Sequence, residues 1–334
     1  MREIKRILIA QTAFIGDVIL VTPLIRETKK QFPAAKLDVL VIPATKAILA
    51  NNPHLSEVLV FDKKGSKIRS FFSVLRKIKE RDYDLALIPH SSFTTALIAK
   101  LAGIKERIGF SKKLRSLLMT KTVTPETNIY RIDKNLSLLQ PMGVLKGDRQ
   151  TELFPSKEDK KIADDLIQSV YKPLVAVAPG SVWKTKCWPK EYYIELISLI
   201  KDRANFVFIG SQEENALCDT ILKNSGCVGI NIAGKTTILQ SAAVIDKCKF
   251  ILCNDSGALH VSNAVQTRVV GFFGPTVKKF GFFPFREGDL VFETNQDCRP
   301  CSHHGPIKCP LKHHNCMRLI KPQEVFEKIN KFLS

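Results

Sequence analysis

Three short stretches and one cluster of thiols hold the side chains of this sequence whose types and spacing could do chemistry. In the first, an apolar run at 250–253 gives way to Asn254, Asp255, Ser256 and Gly257, followed by a helical pattern with His260 in its first turn. Small and capping residues where a strand turns into a helix leave unpaired N–H groups facing outward, and such helix starts take up phosphates and other anions. Residues 250–276 are therefore a candidate phosphate-ester or sugar-nucleotide site. The plainer reading makes Asp255 a helix cap and His260 a structural hydrogen-bonder. In the second stretch, a run at 174–178 ends in Pro179-Gly180-Ser181-Val182-Trp183-Lys184-Thr185-Lys186-Cys187-Trp188-Pro189. Pro189 suits the opening of a helix, and Lys186 suits a phosphate as a point charge. Trp183 and Trp188 could equally pack locally. In the third, Gly16 and Asp17 stand where the run 7–10 turns into a helical pattern, the usual place for a ligand-facing loop. With one glycine it is not the GxGxxG of a dinucleotide fold, and Asp17 could simply complement a helix dipole. The thiols are Cys298, Cys301, Cys309 and Cys316, with His303, His304, His313 and His314 among them. Four thiolates suit a closed, structural, tetrahedral zinc site, with iron as an all-sulfur alternative. Only the first pair has the two-residue gap of a paired finger, so a reduced loop without metal is the other reading.

Positioning these residues requires alternating strands and helices. Apolar runs at 7–10, 37–42, 58–61, 85–89 and 107–110 are separated by helical patterns near 18–25, 44–51, 66–81 and 93–102. After a polar stretch, 146–172, with a helix from about 157 to 169, the alternation restarts. Strands are expected at 174–178, 206–209, 228–231, 250–253 and 269–273, and helices at 190–201, 213–224, 237–245 and 258–265. This spacing predicts parallel, doubly wound sheets with right-handed connections. We place one α/β domain over 1–155 and a second over 156–334. The second carries the cysteine-rich loop 296–317 and a closing helix over 321–333.

A chain of 334 residues with 45% hydrophobic composition has material for two cores. No apolar run approaches the roughly 20 residues that cross a bilayer, and the first residues lack the apolar core of a signal peptide, so a cytoplasmic protein is expected. Nine cysteines, an odd number, argue for reduced thiols or a metal site rather than a disulfide framework. Lys and Arg number 51 against 32 Asp and Glu, a formal charge of +19 that asks for an anionic partner. Part of that charge lies in 63–81, where Lys63, Lys64, Lys67 and Arg69 alternate with Ile68, Phe71, Phe72, Leu75 and Ile78. Another part lies in 105–121, where Lys112 and Lys113 stand beside Leu114 and Leu117. A solvated helix face explains such patterns, and so does an amphiphilic anionic acceptor or an acidic membrane surface. A basic nucleic-acid-binding protein would share the charge, but no nucleic-acid motif accompanies it.

Four spaced elements resemble glycosyltransferase family 9, the lipopolysaccharide heptosyltransferases. They are Gly16-Asp17 followed by Pro23, the stretch 179–189 read as PGSxWxxKxWP, Asn254-Asp255-Ser256-Gly257 with Leu259-His260, and Gly274-Pro275-Thr276. The resemblance implies a GT-B fold, two Rossmann-like domains facing a central cleft. It also implies an inverting transfer of heptose from ADP-heptose to the lipopolysaccharide inner core, with no catalytic cofactor, at the cytoplasmic face of the inner membrane. Carried over residue by residue, it makes Asp17 the general base and Lys186 the cation at the leaving diphosphate. Ser181, Val182, Asp255, Ser256, Gly257 and His260 become donor contacts, and Glu214, or Glu213, the acid that holds the nucleoside. The basic residues Lys63, Lys64, Lys67, Arg69, Lys112 and Lys113 are then the expected acceptor contacts. A family transferase using another sugar or another acceptor remains open on the same motifs.

Overall fold

The computed structural model describes residues 3–63, 66–124, 126–168 and 172–333. It divides into two compact units, Met1–Phe154 and Pro155–Ser334.

The first unit is built on a parallel sheet of β1 (Arg6–Ala10), β2 (Lys36–Val41), β3 (Glu57–Val60), β4 (Leu85–Ile88), β5 (Glu106–Phe110) and β6 (Lys121–Val123), in the order β3-β2-β1-β4-β5-β6. The central strands read as unbroken apolar runs because helices cover both faces, and all four residues of β4 are buried. Ile7 pairs in register with Leu37 on one side and Leu85 on the other. The chain winds outward from β1 to β3 and then returns to lay β4 on the opposite flank of β1. Connections leaving β1 and β4 therefore diverge, and a crevice opens at their carboxyl ends, where ligands bind in such sheets.

Two local expectations change here. The single helix after Asp17 is two, Ile15–Ile19 and Thr22–Gln31. Pro23 lacks an N–H and cannot continue a helix, but it suits the first turn of a new one, and the Thr22 hydroxyl donates to the Ile19 carbonyl at 2.8 Å across the break. The short helix after β2 is a 3-10 segment, Pro43–Leu49. The basic helix, Lys67–Glu80, starts later than its charge run and buries Val74 and Ile78 beneath an exposed side.

The second unit repeats this topology with β7 (Leu174–Ala178), β8 (Asn205–Phe208), β9 (Gly229–Asn231), β10 (Phe250–Asn254), β11 (Arg268–Phe273) and β12 (Leu290–Glu293), ordered β12-β11-β10-β7-β8-β9. The divergence now falls between β7 and β10. Trp188 belongs to this core. It is 2% exposed, stacks on Phe272 at 4.2 Å between ring centres and donates its ring N–H to the Ile320 carbonyl. Burying about 150–250 Å² of indole at about 25 cal/mol per Å² contributes roughly 4–6 kcal/mol, so packing accounts for this tryptophan. The C-terminal helix, Pro322–Ile329, buries Val325 and Ile329 in the same core. No helix among the described residues is long and apolar enough to cross a membrane.

Candidate active site

The loops that leave β7 and β10 are tied together by one side chain. Asn254, the last residue of β10, is fully buried and donates from Nδ2 to the carbonyls of Pro179 (2.8 Å) and Gly180 (3.2 Å). Its Oδ1 accepts from the Trp188 N–H (2.9 Å) and the Tyr193 hydroxyl (3.2 Å), so all four hydrogen-bonding positions of the amide are used. This brings Lys186 and Asp255 to one place. Lys186 Nζ lies 2.6 Å from Asp255 Oδ2, the two side chains being 11% and 8% exposed. The Thr276 hydroxyl donates to the same oxygen at 2.7 Å. Either charge would be costly to bury alone, and the pair leaves neither without a partner.

The turn after Asp255 supplies a second attraction for an anion. Ser256 caps the helix Gly257–Ala264 in an extended conformation with no side-chain cap bond, so its hydroxyl is not committed to the first N–H groups of the helix. His260 is buried on that helix, and burial, outweighing nearby Asp255, pushes its imidazole down to about 4, so it is neutral at physiological pH. Its Nδ1 has no hydrogen-bond partner among the described residues.

Ser181 is buried in the β7 loop, whereas Val182 is 87% exposed. Glu214 lies across the glycines that end β7 and β8. A Cβ on Gly180 would fall 1.9 Å from Glu214 Oε1, and one on Gly210 2.8 Å from Oε2. Oε2 also accepts the Ser211 N–H at 2.8 Å. Glu213 is exposed, so of the two acids Glu214 is the one laid against the β7 loop.

At the diverging ends of β1 and β4 the first unit gathers a different set. Asp17, in the short helix after β1, is 3.7 Å from Arg131 Nη2. Thr12 Oγ1 is the centre of a buried polar cluster, 2.8 Å from Lys63 Nζ, 2.9 Å from His90 Nδ1 and 3.2 Å from Thr95 Oγ1. An ammonium only donates, so Thr12 accepts from Lys63 and can give its own proton to Nδ1 of a neutral imidazole. Burial, then Lys63, Arg131 and Arg115, push His90 down to about 4, and burial lowers Lys63 as well. Beside the cluster is a cavity of about 510 Å³ lined by Phe61, Lys63, Ile68, Phe71, Phe72 and Thr94. Of the other basic residues singled out in the sequence, Arg69 and Lys112 are exposed. Lys64 and the side chains of Lys67 and Lys113 lie outside the described residues.

For the cysteine-rich segment, the structure supports no metal site among the described residues. Cys298, Cys301, Cys309 and Cys316 are free thiols, and no group of three or more His, Cys, Asp or Glu among the described residues is arranged to hold a metal ion. Burial pushes the Cys316 thiol up to about 11 and also raises Cys301. The segment makes hydrogen bonds to the loops that follow β7 and β11.

Thr12, His90 and Arg131 carried no motif of their own, and Thr276 stood in Gly274-Pro275-Thr276 with no role assigned to it. The carboxyl-end rule for doubly wound sheets would have marked Thr12 and His90, which follow β1 and β4 directly. Arg131 and Thr276 reach their partners through tertiary packing.

A model of glycosyltransferase family 9 (heptosyltransferase) matches residues 71–312, more than half of the chain. Lipopolysaccharide heptosyltransferase 2 of Salmonella typhimurium is 25% identical over 98% of this chain and 99% of its own. Among solved structures, a family 9 glycosyl transferase of Veillonella parvula superimposes with a TM-score of 0.89 at 20% identity, covering 100% of this chain and 98% of its own. Escherichia coli ADP-heptose lipopolysaccharide heptosyltransferase II superimposes with a TM-score of 0.81 at 24% identity and covers 98% of each chain. These two likenesses carry the fold, and the fold class is GT-B. The chain belongs to glycosyltransferase family 9 and is a glycosyltransferase.

Proposed function

We propose that this enzyme moves a heptose from ADP-heptose onto the lipopolysaccharide inner core, heptosyl-Kdo-lipid A, with inversion at the anomeric carbon. The observation that carries the reading is the buried Lys186–Asp255 pair with Thr276, set where β7 and β10 diverge and beside a helix start. A diphosphate brought there meets Lys186 and the N–H groups of residues 256 and 257, and these stabilise the charge that grows as the sugar–phosphate bond breaks. Ser181 and Val182 line the donor loop, His260 holds the donor as a neutral imidazole, and Glu214 takes the nucleoside. The names of the Salmonella relative and the E. coli neighbour support this donor and this acceptor.

Asp17 takes the proton of the acceptor hydroxyl as that oxygen attacks the anomeric carbon, and ADP departs with the bonding electron pair. The role requires an ionised carboxylate, and Arg131, 3.7 Å away, favours that form. The charge that meets the leaving group is Lys186, so the mechanism calls for no catalytic cofactor. In this reading residues 1–155 bind the acceptor and 156–334 the donor. Lys63, with Lys64, Lys67, Arg69, Lys112 and Lys113, meets the phosphates of the acceptor, and the apolar cavity beside Lys63 suits an amphiphile presented at the cytoplasmic face of the inner membrane.

The test is a panel of ADP- and UDP-sugars with a truncated inner-core acceptor, scored by nucleoside diphosphate release and by the mass of the product. A mass gain of one heptose, with ADP-heptose alone, is expected. Release from another nucleotide sugar, or transfer only to a different glycan or a protein, would replace this substrate while keeping the family.

A further inference from the structure

Residues 296–317 have no part in the reaction just described, yet they are attached to both donor loops. Arg299, 6% exposed, donates from Nη2 to the Thr276 carbonyl at 2.7 Å and to Glu293 at 2.8 Å, and from Nη1 to the Thr294 carbonyl. His314 Nε2 lies 2.8 Å from the Thr185 carbonyl, which can only accept, so this nitrogen carries the ring proton. The Thr185 hydroxyl in turn donates to the Pro306 carbonyl, and the Cys301 N–H to the Pro275 carbonyl at 3.2 Å. Gly305, at φ +81°, comes so close that a Cβ there would stand 3.0 Å from Pro275 Cγ and 3.5 Å from Lys186 Cγ.

These contacts end one residue away from the two charges of the donor site. Thr185 precedes Lys186, and Thr276 donates its hydroxyl to the carboxylate that Lys186 pairs with. We propose that Arg299 and His314 are positioning residues of the donor site. Arg299 fixes the backbone of Thr276 so that its hydroxyl occupies Asp255 Oδ2, and His314 fixes the backbone from which Lys186 projects. Asp255 then divides one oxygen between a hydroxyl and an ammonium. With that oxygen shared, Lys186 is held less exclusively and is available to an arriving diphosphate. Without the Thr276 hydroxyl the carboxylate would have the ammonium to itself, and the diphosphate would have to compete with an undivided ion pair.

The inference rests on the reading of this site as an ADP site, and it is tested by calorimetric titration with two probes, ADP and adenosine. The variants are Thr276→Val, its conservative counterpart Thr276→Ser, Arg299→Met and His314→Leu. Thr276→Val and Arg299→Met are expected to weaken ADP about tenfold while adenosine binds as before, because the loss is confined to the diphosphate. Thr276→Ser should restore ADP affinity. The double variant Thr276→Val with Arg299→Met should be no weaker than the worse single one, since both act on the same carboxylate oxygen. His314→Leu should show the same selective loss by way of Lys186. Undiminished ADP binding in Thr276→Val, which is isosteric and keeps the fold, would overturn the proposal, as would a parallel loss of adenosine. A wild-type protein that does not bind ADP would instead sink the donor reading itself, and this inference with it.

Discussion

At the carboxyl edge of the second sheet, the buried Lys186 has a carboxylate of its own 2.6 Å away. At the same edge of the first sheet, Lys63 is half-buried against a hydroxyl, and the charged groups acting on neighbouring His90 are all cations. The two units share one topology and use it to hold charge in opposite ways. A paired cation yields to a ligand that offers more than one carboxylate does, which favours a tightly defined dianion. An excess of cations adds to burial in holding His90 neutral, while burial alone lowers Lys63. It attracts anions over a longer range and in a salt-dependent way. On the proposed assignment of donor and acceptor, one edge suits a defined charge and the other a large and variably charged partner.

The strongest way to break this division is to remove the base. Asp17→Asn should slow transfer about a thousandfold, within the range for loss of a general base, and leave ADP affinity untouched. Rapid-quench turnover beside calorimetry checks it, and near-normal turnover would take Asp17 out of the chemistry. Next comes the paired edge. Lys186→Ala leaves Asp255 buried without its cation, and should both abolish measurable ADP binding and destabilise the fold by about 3–5 kcal/mol. Pairing Lys186→Met with Asp255→Leu should recover most of the melting temperature and none of the binding. Recovery of both would mean that the pair is structural only.

Smaller effects are expected at Lys63 in the first unit. Lys63→Met should raise the acceptor KM about tenfold, with an effect that shrinks as salt is added, and should leave the melting temperature unchanged or higher. A fall in stability would show that Lys63 is a strut rather than a reserve of charge. The smallest prediction concerns His260. Its folded value of about 4 lies below the ordinary 6.5, so the unfolded chain takes up a proton first as the pH falls. The stability that the neutral ring contributes is whole above about 6.5 and drains away between there and 4. Replacing His260→Gln should flatten that part of a stability-versus-pH curve, and an unchanged slope would mean the ring protonates freely in the folded state.

The doubly wound sheets were legible because strands buried on both faces read as uninterrupted apolar runs, as 85–88 and 174–178 do. The edge strands β6 and β12 were not, since Lys121 and Thr122 are exposed and the runs are short. Pro23 can start a second helix, but the apolar period continues across it and hides the break. At the candidate site, residue types and turns marked Lys186 and Asp255 separately. Their pairing, and the arrival of Thr276 on the same oxygen, are tertiary facts that no local pattern encodes. The cysteine spacing gives ligand types but not directions, and the contacts of the segment through Arg299 and His314 to the carbonyls of Thr276 and Thr185 are likewise tertiary.

Asn254 has a consequence for motion. Because one saturated amide clasps the carbonyls of residues 179 and 180, the N–H of Trp188 and the hydroxyl of Tyr193, the β7 loop cannot open without stripping several buried bonds at once. Its Trp188 amide should exchange with solvent deuterium almost as slowly as the central strands, though it lies outside any strand. Whatever rearrangement admits the donor and frees the product, this loop and the end of β10 then travel together as a single rigid piece.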